Sequence, residues 1–325
     1  MKIFVTRKIP QVGIDLLQKE GFEVSVSPLD RPLSHDELLH EVSGVEAILS
    51  QLVDKIDGEV MDAAGKQLKI VANYAVGYDN ISLADAQTRN ILISNTPDVL
   101  TDAVADHAFA LMLSASRRIA ESDRFSRAGK YTGWQPSLLL GTDVYQKTIG
   151  IVGMGRIGFA VAERAVKGFK MKVVYTDIKP NPDFEKEYGA KFIPLEELLK
   201  VADFVTLHVP LLPSTRHMMS TAQFGLMKPT AFLINTARGP VVDELALLKA
   251  LKAKKIAGAA LDVFECEPSI DCDLKDHLEL KKFDNVVLTP HTASATIEAR
   301  QAMSRTAAVN IIEALEGRTP PNAVK

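Results

Sequence analysis

The sequence predicts an α/β protein of two doubly wound parallel-sheet domains, the second inserted into the first. Three observations carry this reading. At 325 residues the chain exceeds the roughly 100–200 residues of a single domain. Short β-type runs alternate with helical stretches in two successive blocks, a pattern that builds parallel sheets with helices on both faces. A glycine-rich turn closes the first strand of the second block and opens a helix.

In the first block KIFVT (2–6), FEVSV (22–26), AILS (47–50), KIVANY (69–74) and ILISNT (91–96) are rich in Ile, Val, Phe and Thr and predict strands. VGIDLLQKEG and SHDELLHEV lie between them with apolar residues at helical spacing. Gly21, Pro28 and Pro97 mark turns. A helix is predicted from Thr101, its cap, to about Ala120, with Val104, Phe109, Leu111, Met112 and Leu113 as its apolar surface. Residues 121–147 are less regular and hold the single tryptophan, Trp134.

The second block starts at Thr148 with TIGIVGMG. VVYTD (173–177), DFVTLHV (203–209), AFLINT (231–236), GAALDV (258–263) and NVVLTP (285–290) predict further strands. One long helix, from about Ser294 to Glu316, closes the chain and is expected to return to the first domain.

Lys and Arg total 38 against 41 Asp and Glu, a net charge of -3. With no basic excess to neutralise a phosphate backbone, nucleic-acid binding is not expected. MKIFVTRKIP turns polar too early for a signal-peptide core, and no apolar stretch reaches the roughly 20 residues that span a bilayer. The two cysteines, Cys266 and Cys272, are expected as reduced thiols of a cytoplasmic protein. Their spacing with His277 matches no usual zinc pattern.

Gly153-Met154-Gly155-Arg156-Ile157-Gly158 reads G-x-G-x-x-G, and its context strengthens it: a strand before, a helix after, and Asp177 at the end of the next strand. The first glycine permits the tight turn, the second a close approach of pyrophosphate, the third close helix–strand packing. The helix N-terminus offers unpaired N–H groups and a partial positive charge to the phosphates. Asp177 can accept from ribose hydroxyls. It would repel a 2′-phosphate by roughly 1 kcal/mol in water and about 4 kcal/mol at an effective dielectric of 20 for charges 4 Å apart. NAD(H) is therefore expected over NADP(H), with Lys179 able to soften the penalty.

Three later segments place reactive side chains just after strands: Arg238 in NTARGPVVDE, Glu267 in LDVFECEP and His291 in LTPHTASAT. Hydride transfer to a 2-oxo acid needs these three types. A guanidinium fork grips the carboxylate, an imidazole protonates the carbonyl oxygen, and a carboxylate orients and charges the imidazole. His35 and His40 fall on a surface helix, while His107, His208, His217 and His277 have no partner evident in the sequence.

Together with NYAVGYDNI (73–81), NTPDVLTDAVADHAFAL (95–111) and TLHVPLLPSTRHMM (206–219), these segments make the chain resemble the D-isomer-specific 2-hydroxyacid dehydrogenases, above all the glyoxylate/hydroxypyruvate reductases. The resemblance implies a Rossmann cofactor domain (100–290) inserted into a flavodoxin-like substrate domain (1–99 and 291–325). It implies Arg238, Glu267 and His291 as the catalytic set. Val76 and Gly77 would hold the substrate carboxylate, with Leu52 and Leu100 lining a small pocket. Thr101, Arg156, Ile157, Asp177, Pro210, Thr215, Thr236 and Asp262 would join the glycines at the cofactor. A homodimer is implied, with Trp134 crossing to the partner's site; the alternative for Trp134 is a packing anchor within its own chain. Two departures stand out: Ala293 replaces the family's common glycine, and the Glu267–His291 interval is longer than usual.

The expected activity is reversible reduction of glyoxylate or hydroxypyruvate, with D-lactate and other D-2-hydroxyacid dehydrogenases as the alternative. A binding scaffold resembling the NAD(H)-sensing co-repressors is the rival from another class. A partner released by NAD(H), with no oxo-acid turnover, would favour that rival.

Overall fold

Two all-parallel sheets organise the described residues, 1–267 and 279–324 of a computed structural model. The chain divides into Met1–Leu100 with Ala295–Lys325, and Thr101–Ser294.

In the first unit β1 (Lys2–Val5), β2 (Glu23–Val26), β3 (Ala47–Ser50), β4 (Ile70–Asn73) and β5 (Leu92–Ser94) form a sheet of order β2-β1-β3-β4-β5. Every residue of β3 and β4 is buried, as a sheet covered on both faces requires. The covering helices are α1 (Gln11–Lys19), α2 (His35–Glu41), α3 (Gly58–Ala64), α4 (Leu83–Thr88) and the last helix, α12 (Ile297–Leu315). Ser34 and Glu37 start α2 with a capping box. The return of α12 depends on Gly13 of α1, where a Cβ would lie 2.4 Å from the Ser304 carbonyl oxygen. The Gly13 N–H instead donates to Ser304 Oγ at 3.1 Å.

In the second unit the strands are β6 (Thr148–Val152), β7 (Lys172–Thr176), β8 (Lys191–Phe192), β9 (Phe204–Leu207), β10 (Phe232–Asn235), β11 (Gly258–Leu261) and β12 (Val286–Leu288). Their order is β12-β11-β10-β9-β6-β7-β8. Strand order reverses at β6, which pairs with both β7 and β9, and open α/β sheets bind ligands beyond the strand ends at such a point. The edge strand β8 is two exposed residues, too short for the sequence pattern to mark. Helices α8 (Pro182–Tyr188), α9 (Leu195–Val201), α10 (Thr221–Leu226) and α11 (Glu244–Lys252) fill the crossovers. The sequence pattern does not mark them, although Asn181 caps α8 with Pro182 in its first turn.

The helix expected over 101–120 is two helices, α5 (Thr101–Ser116) and α6 (Ile119–Arg127). Arg118 adopts a left-handed conformation, φ 54°, which a right-handed helix cannot include. The Arg118 guanidinium reaches forward to Glu121, with both bonds at 2.7 Å. Thr101 is the first helical residue of α5 rather than its cap. Residues 291–294 group with the second unit because the N–H groups of His291, Thr292 and Ala293 all donate to Asp262, each at 2.8 Å.

Candidate active site

The glycine turn follows β6 into α7 (Arg156–Phe169). Gly153 has φ 95°, and a Cβ there would lie 2.8 Å from the His208 carbonyl carbon. At Gly158 a Cβ would stand 2.1 Å from the Gly153 carbonyl oxygen, so only hydrogen lets α7 start so close to β6. Gly155 is different: a Cβ there would meet nothing within 4 Å. Its small size therefore serves access from outside the protein, which fits a pyrophosphate approaching the backbone. Arg156 and Ile157 form the first turn of α7.

Asp177 ends β7. Its carboxylate accepts the Met154 N–H and the Ile178 N–H, both at 2.6 Å. The first bond ties the strand end to the glycine turn. A carboxylate has about four acceptor sites, so capacity remains for ribose hydroxyls. A cavity of about 350 Å³ opens here, lined by Met154, Asp177, Lys179, Pro180, Asn181 and Pro182.

Across the switch point, Thr215 Oγ1 accepts the Leu212 N–H at 2.8 Å and donates to the Pro210 carbonyl at 2.7 Å, closing the loop after β9. Thr236, just past β10, has a buried Oγ1 with no hydrogen-bond partner among the described residues. Buried orphan polar atoms are rare and call for a ligand or water. His208 Nδ1 is a second such atom. Its Nε2 lies 2.9 Å from Thr206 Oγ1, and burial pushes the ring pKa down to about 3, so His208 is neutral. The residues present thus fit a dinucleotide along the β6–β10 strand ends.

His291 and Glu267 meet: Nδ1 lies 2.8 Å from Glu267 Oε2. His291 has φ 54°, a left-handed conformation that its fold must enforce. The enforcing group is Asp262. It is completely buried and receives the Thr289 hydroxyl (2.6 Å) and the Thr292 and Ala293 N–H groups, while its carbonyl receives the His291 N–H. Burial pushes the Asp262 pKa up, but the bonds from His107, Thr289, Thr292 and Ala293 outweigh it and hold the carboxyl below its ordinary range. Asp262, expected at the cofactor, thereby also fixes the His291 backbone. Ala293, buried, commits its N–H to the same carboxylate.

Arg238 sits in a turn shaped by Asn235, which donates to the Arg238 carbonyl at 3.0 Å and accepts the Ala237 N–H at 3.0 Å. The next residue, Gly239, packs against the loop of Glu267: a Cβ would lie 1.8 Å from the Phe264 carbonyl oxygen. One glycine therefore lets the Arg238 turn pack directly on the backbone of the loop that leads to Glu267.

Besides His208, two more histidines with no partner evident in the sequence have one in the fold. His107 Nε2, from α5, lies 3.1 Å from Thr289 Oγ1 and 3.4 Å from Asp262 Oδ1. His217 Nε2 lies 2.5 Å from Glu265 Oε1. Both pairs span long sequence intervals, so no local pattern announces them. Cys272 and His277, and with them the expectation of reduced thiols, lie outside the described residues.

Within the first unit, the Val76 carbonyl accepts from Asn95 Nδ2 at 2.7 Å and the Gly77 carbonyl from Asn73 Nδ2 at 2.8 Å. With both carbonyls engaged, the Val76 and Gly77 N–H groups, which have no partner among the described residues, are the groups this turn can offer to an anion. Leu52 follows β3 and is half-buried, and Leu100 is buried. Trp134 is 81% exposed, so it does not anchor its own chain. No helix among the described residues is long and apolar enough to cross a membrane.

A dinucleotide cradle at the switch point and a His–Glu pair at the strand ends define a nicotinamide-dependent oxidoreductase, and comparison with known proteins narrows the class. The profile of the D-isomer specific 2-hydroxyacid dehydrogenase, NAD binding domain, matches residues 109–293. The chain belongs to the D-isomer-specific 2-hydroxyacid dehydrogenases. It is 51% identical over 327 residues to the glyoxylate reductase of Thermococcus onnurineus (strain NA1), spanning 99% of this chain and 95% of that relative. Among solved structures, the TT0316 protein of Thermus thermophilus superposes with a TM-score of 0.91 at 42% identity, with both chains covered completely. D-lactate dehydrogenase of Aquifex aeolicus, solved with NAD and lactic acid, gives 0.86 at 29% identity, covering 100% of this chain and 99% of that one.

Proposed function

We propose that this enzyme reduces glyoxylate, and with it hydroxypyruvate, to the corresponding 2-hydroxy acid, with NADH as the reductant. The observation that carries the reading is the His291–Glu267 pair at 2.8 Å. The full-length likeness to glyoxylate reductases supports the choice of substrate.

The glycine turn, Asp177 and Thr236 would hold NADH, which when bound supplies hydride to the carbonyl carbon. His291 keeps Nε2 for the substrate because Nδ1 is committed to Glu267. Nε2–H protonates the carbonyl oxygen as hydride reaches carbon, and solvent restores the proton. Glu267, 2.8 Å from Nδ1, fixes the ring's orientation. The Arg238 fork binds the substrate carboxylate and polarises the carbonyl. Within the first unit, the Val76 and Gly77 N–H groups would offer an anion-binding turn, with Leu52 and Leu100 as apolar lining. Val76 and the two leucines bring no cation for a phosphate ester, which favours small unphosphorylated oxo acids.

Thr101, Pro210 and Thr215 complete the cofactor contacts. The homodimer and a cytoplasmic location are part of the same reading. Trp134 belongs to an exposed apolar arm with Tyr131, Leu140 and Tyr145, a surface that a second copy would cover. Trp134→Arg should yield monomers by sedimentation; an unchanged dimer would remove Trp134 from the interface.

Initial rates with glyoxylate, hydroxypyruvate, pyruvate and bulkier oxo acids at fixed NADH test the substrate. Glyoxylate or hydroxypyruvate should give the highest kcat/KM. A clear preference for pyruvate would move the enzyme to the lactate type.

A further inference from the structure

The segments that carry Arg238 and Glu267 are locked together by groups outside the catalytic set. Glu244 is the first residue of α11, following the cap Asp243, and is only 5% exposed. Its Oε1 accepts the N–H of Glu265 at 2.6 Å, and Glu265 Oε2 accepts the N–H of Glu244 at 3.3 Å. Each carboxylate thus receives the other residue's backbone. The second Glu265 oxygen meets His217 Nε2 at 2.5 Å, and the His217 N–H donates to the Pro240 carbonyl at 2.8 Å, inside the Arg238 turn. Arg216 Nη2 stands 3.9 Å from the same Glu265 oxygen.

These bonds close a ring from the Arg238 turn through His217, Glu265 and Glu244 back to the turn. Glu265 lies two residues before Glu267. An acidic residue at a helix start is ordinarily explained by the helix dipole, which an exposed side chain satisfies. Glu244 is buried instead, and it is aimed at another loop's backbone. Burying a carboxylate is unfavourable unless its bonds offset the lost hydration, and here they fix the distance between two loops.

We propose that Glu244 and Glu265 are positioning residues that set the Glu267 loop against the Arg238 turn. This rests on the reading of Glu267 as the partner of His291. Hydrogen bonds of the two side chains run to each other's backbone and to His217, so each would act through the placement of Glu267.

The test compares Glu244→Ala, Glu244→Gln and Glu265→Ala with the wild type, using glyoxylate and NADH. Displacement of a catalytic group by about 1 Å lowers rates up to roughly 100-fold. Both alanine variants should therefore lose about tenfold or more in kcat, keep KM for NADH within about twofold, and move the limb of the kcat–pH profile that reports His291. Glu244→Gln, whose amide oxygen still accepts the Glu265 N–H, should recover most of the loss. The Glu265 side chain is 26% exposed, more than that of Glu244, so Glu265→Ala is the milder truncation and stays informative even where Glu244→Ala fails to fold. Wild-type kcat and pH profile in Glu265→Ala, or equal damage in Glu244→Gln and Glu244→Ala, would overturn the proposal. His291→Ala and Glu267→Gln serve as controls. Should both keep full activity, the site reading itself fails; should both lose it while Glu265→Ala does not, only the positioning role falls.

Discussion

Gly239→Ala is the sharpest probe of how the site is assembled. A Cβ at residue 239 would lie 1.8 Å from the Phe264 carbonyl oxygen, 1.9 Å from its carbon and 2.4 Å from the Glu265 nitrogen. All three are backbone atoms, so no side-chain rotation relieves the overlap. Reaching ordinary contact near 3.5 Å requires the Arg238 turn and the Glu267 loop to separate by roughly 1.7 Å. A 1 Å misplacement costs about 100-fold in rate, so kcat/KM for glyoxylate should fall by about 100-fold or more. Overpacking of this kind destabilises by about 1–3 kcal/mol, which lowers Tm by only a few degrees in a chain this long. The glycine turn at 153–158 lies on other strands, and KM for NADH should change little. Steady-state kinetics with both substrates varied, alongside a thermal melt, separates the two effects. A Gly239→Ala enzyme with wild-type kcat/KM would show that the two loops need not be held together, and the reasoning would fail.

Other perturbations test the remaining parts. His291→Ala should lower kcat by about 100-fold to 10,000-fold, the usual contribution of a general acid; near-normal turnover would reject its role. Asp177→Ala should raise the NADPH-to-NADH ratio of kcat/KM at least about fivefold, because roughly 1 kcal/mol or more of charge repulsion disappears; an unchanged ratio would place discrimination elsewhere. Asp262 binds its proton more weakly folded than unfolded, since its carboxyl is held below the ordinary 3.8. Its contribution to stability is therefore present above pH 3.8 and lost as the pH falls through the lower folded value. The Tm gap between wild type and Asp262→Asn should be widest near neutral pH and shrink below pH 3.8; a gap independent of pH would contradict the assignment.

Much of this protein is local in origin. The strands of both sheets, the glycine turn and Asp177 follow from periodicity and from residue types that only certain backbone geometries accept. The likeness of five or more ordered motifs pointed to Arg238, Glu267 and His291, because reactive residues just past strand ends need no long-range information to be noticed. What could not be read locally was anything fixed by contact between distant segments. The break at Arg118 lies against chain that returns near Gly141, where a Cβ would lie 2.4 Å from the Ser116 carbonyl oxygen. His107 and His217 looked idle because their partners, Thr289 with Asp262 and Glu265, stand far away along the chain.

The amino-acid order by itself therefore determined which chemistry is present: a glycine-rich turn between strand and helix, an acid just past the next strand, and a guanidinium, carboxylate and imidazole just past successive strands. Tertiary structure alone decided how that chemistry is held. Asp262 is buried under its bonds to the 289–293 turn, and Gly239 admits one loop to another. The physical reason is that side-chain type and local periodicity are properties of neighbours in sequence. Burial, hydrogen-bond pairing and close backbone approach arise only when remote segments are brought together.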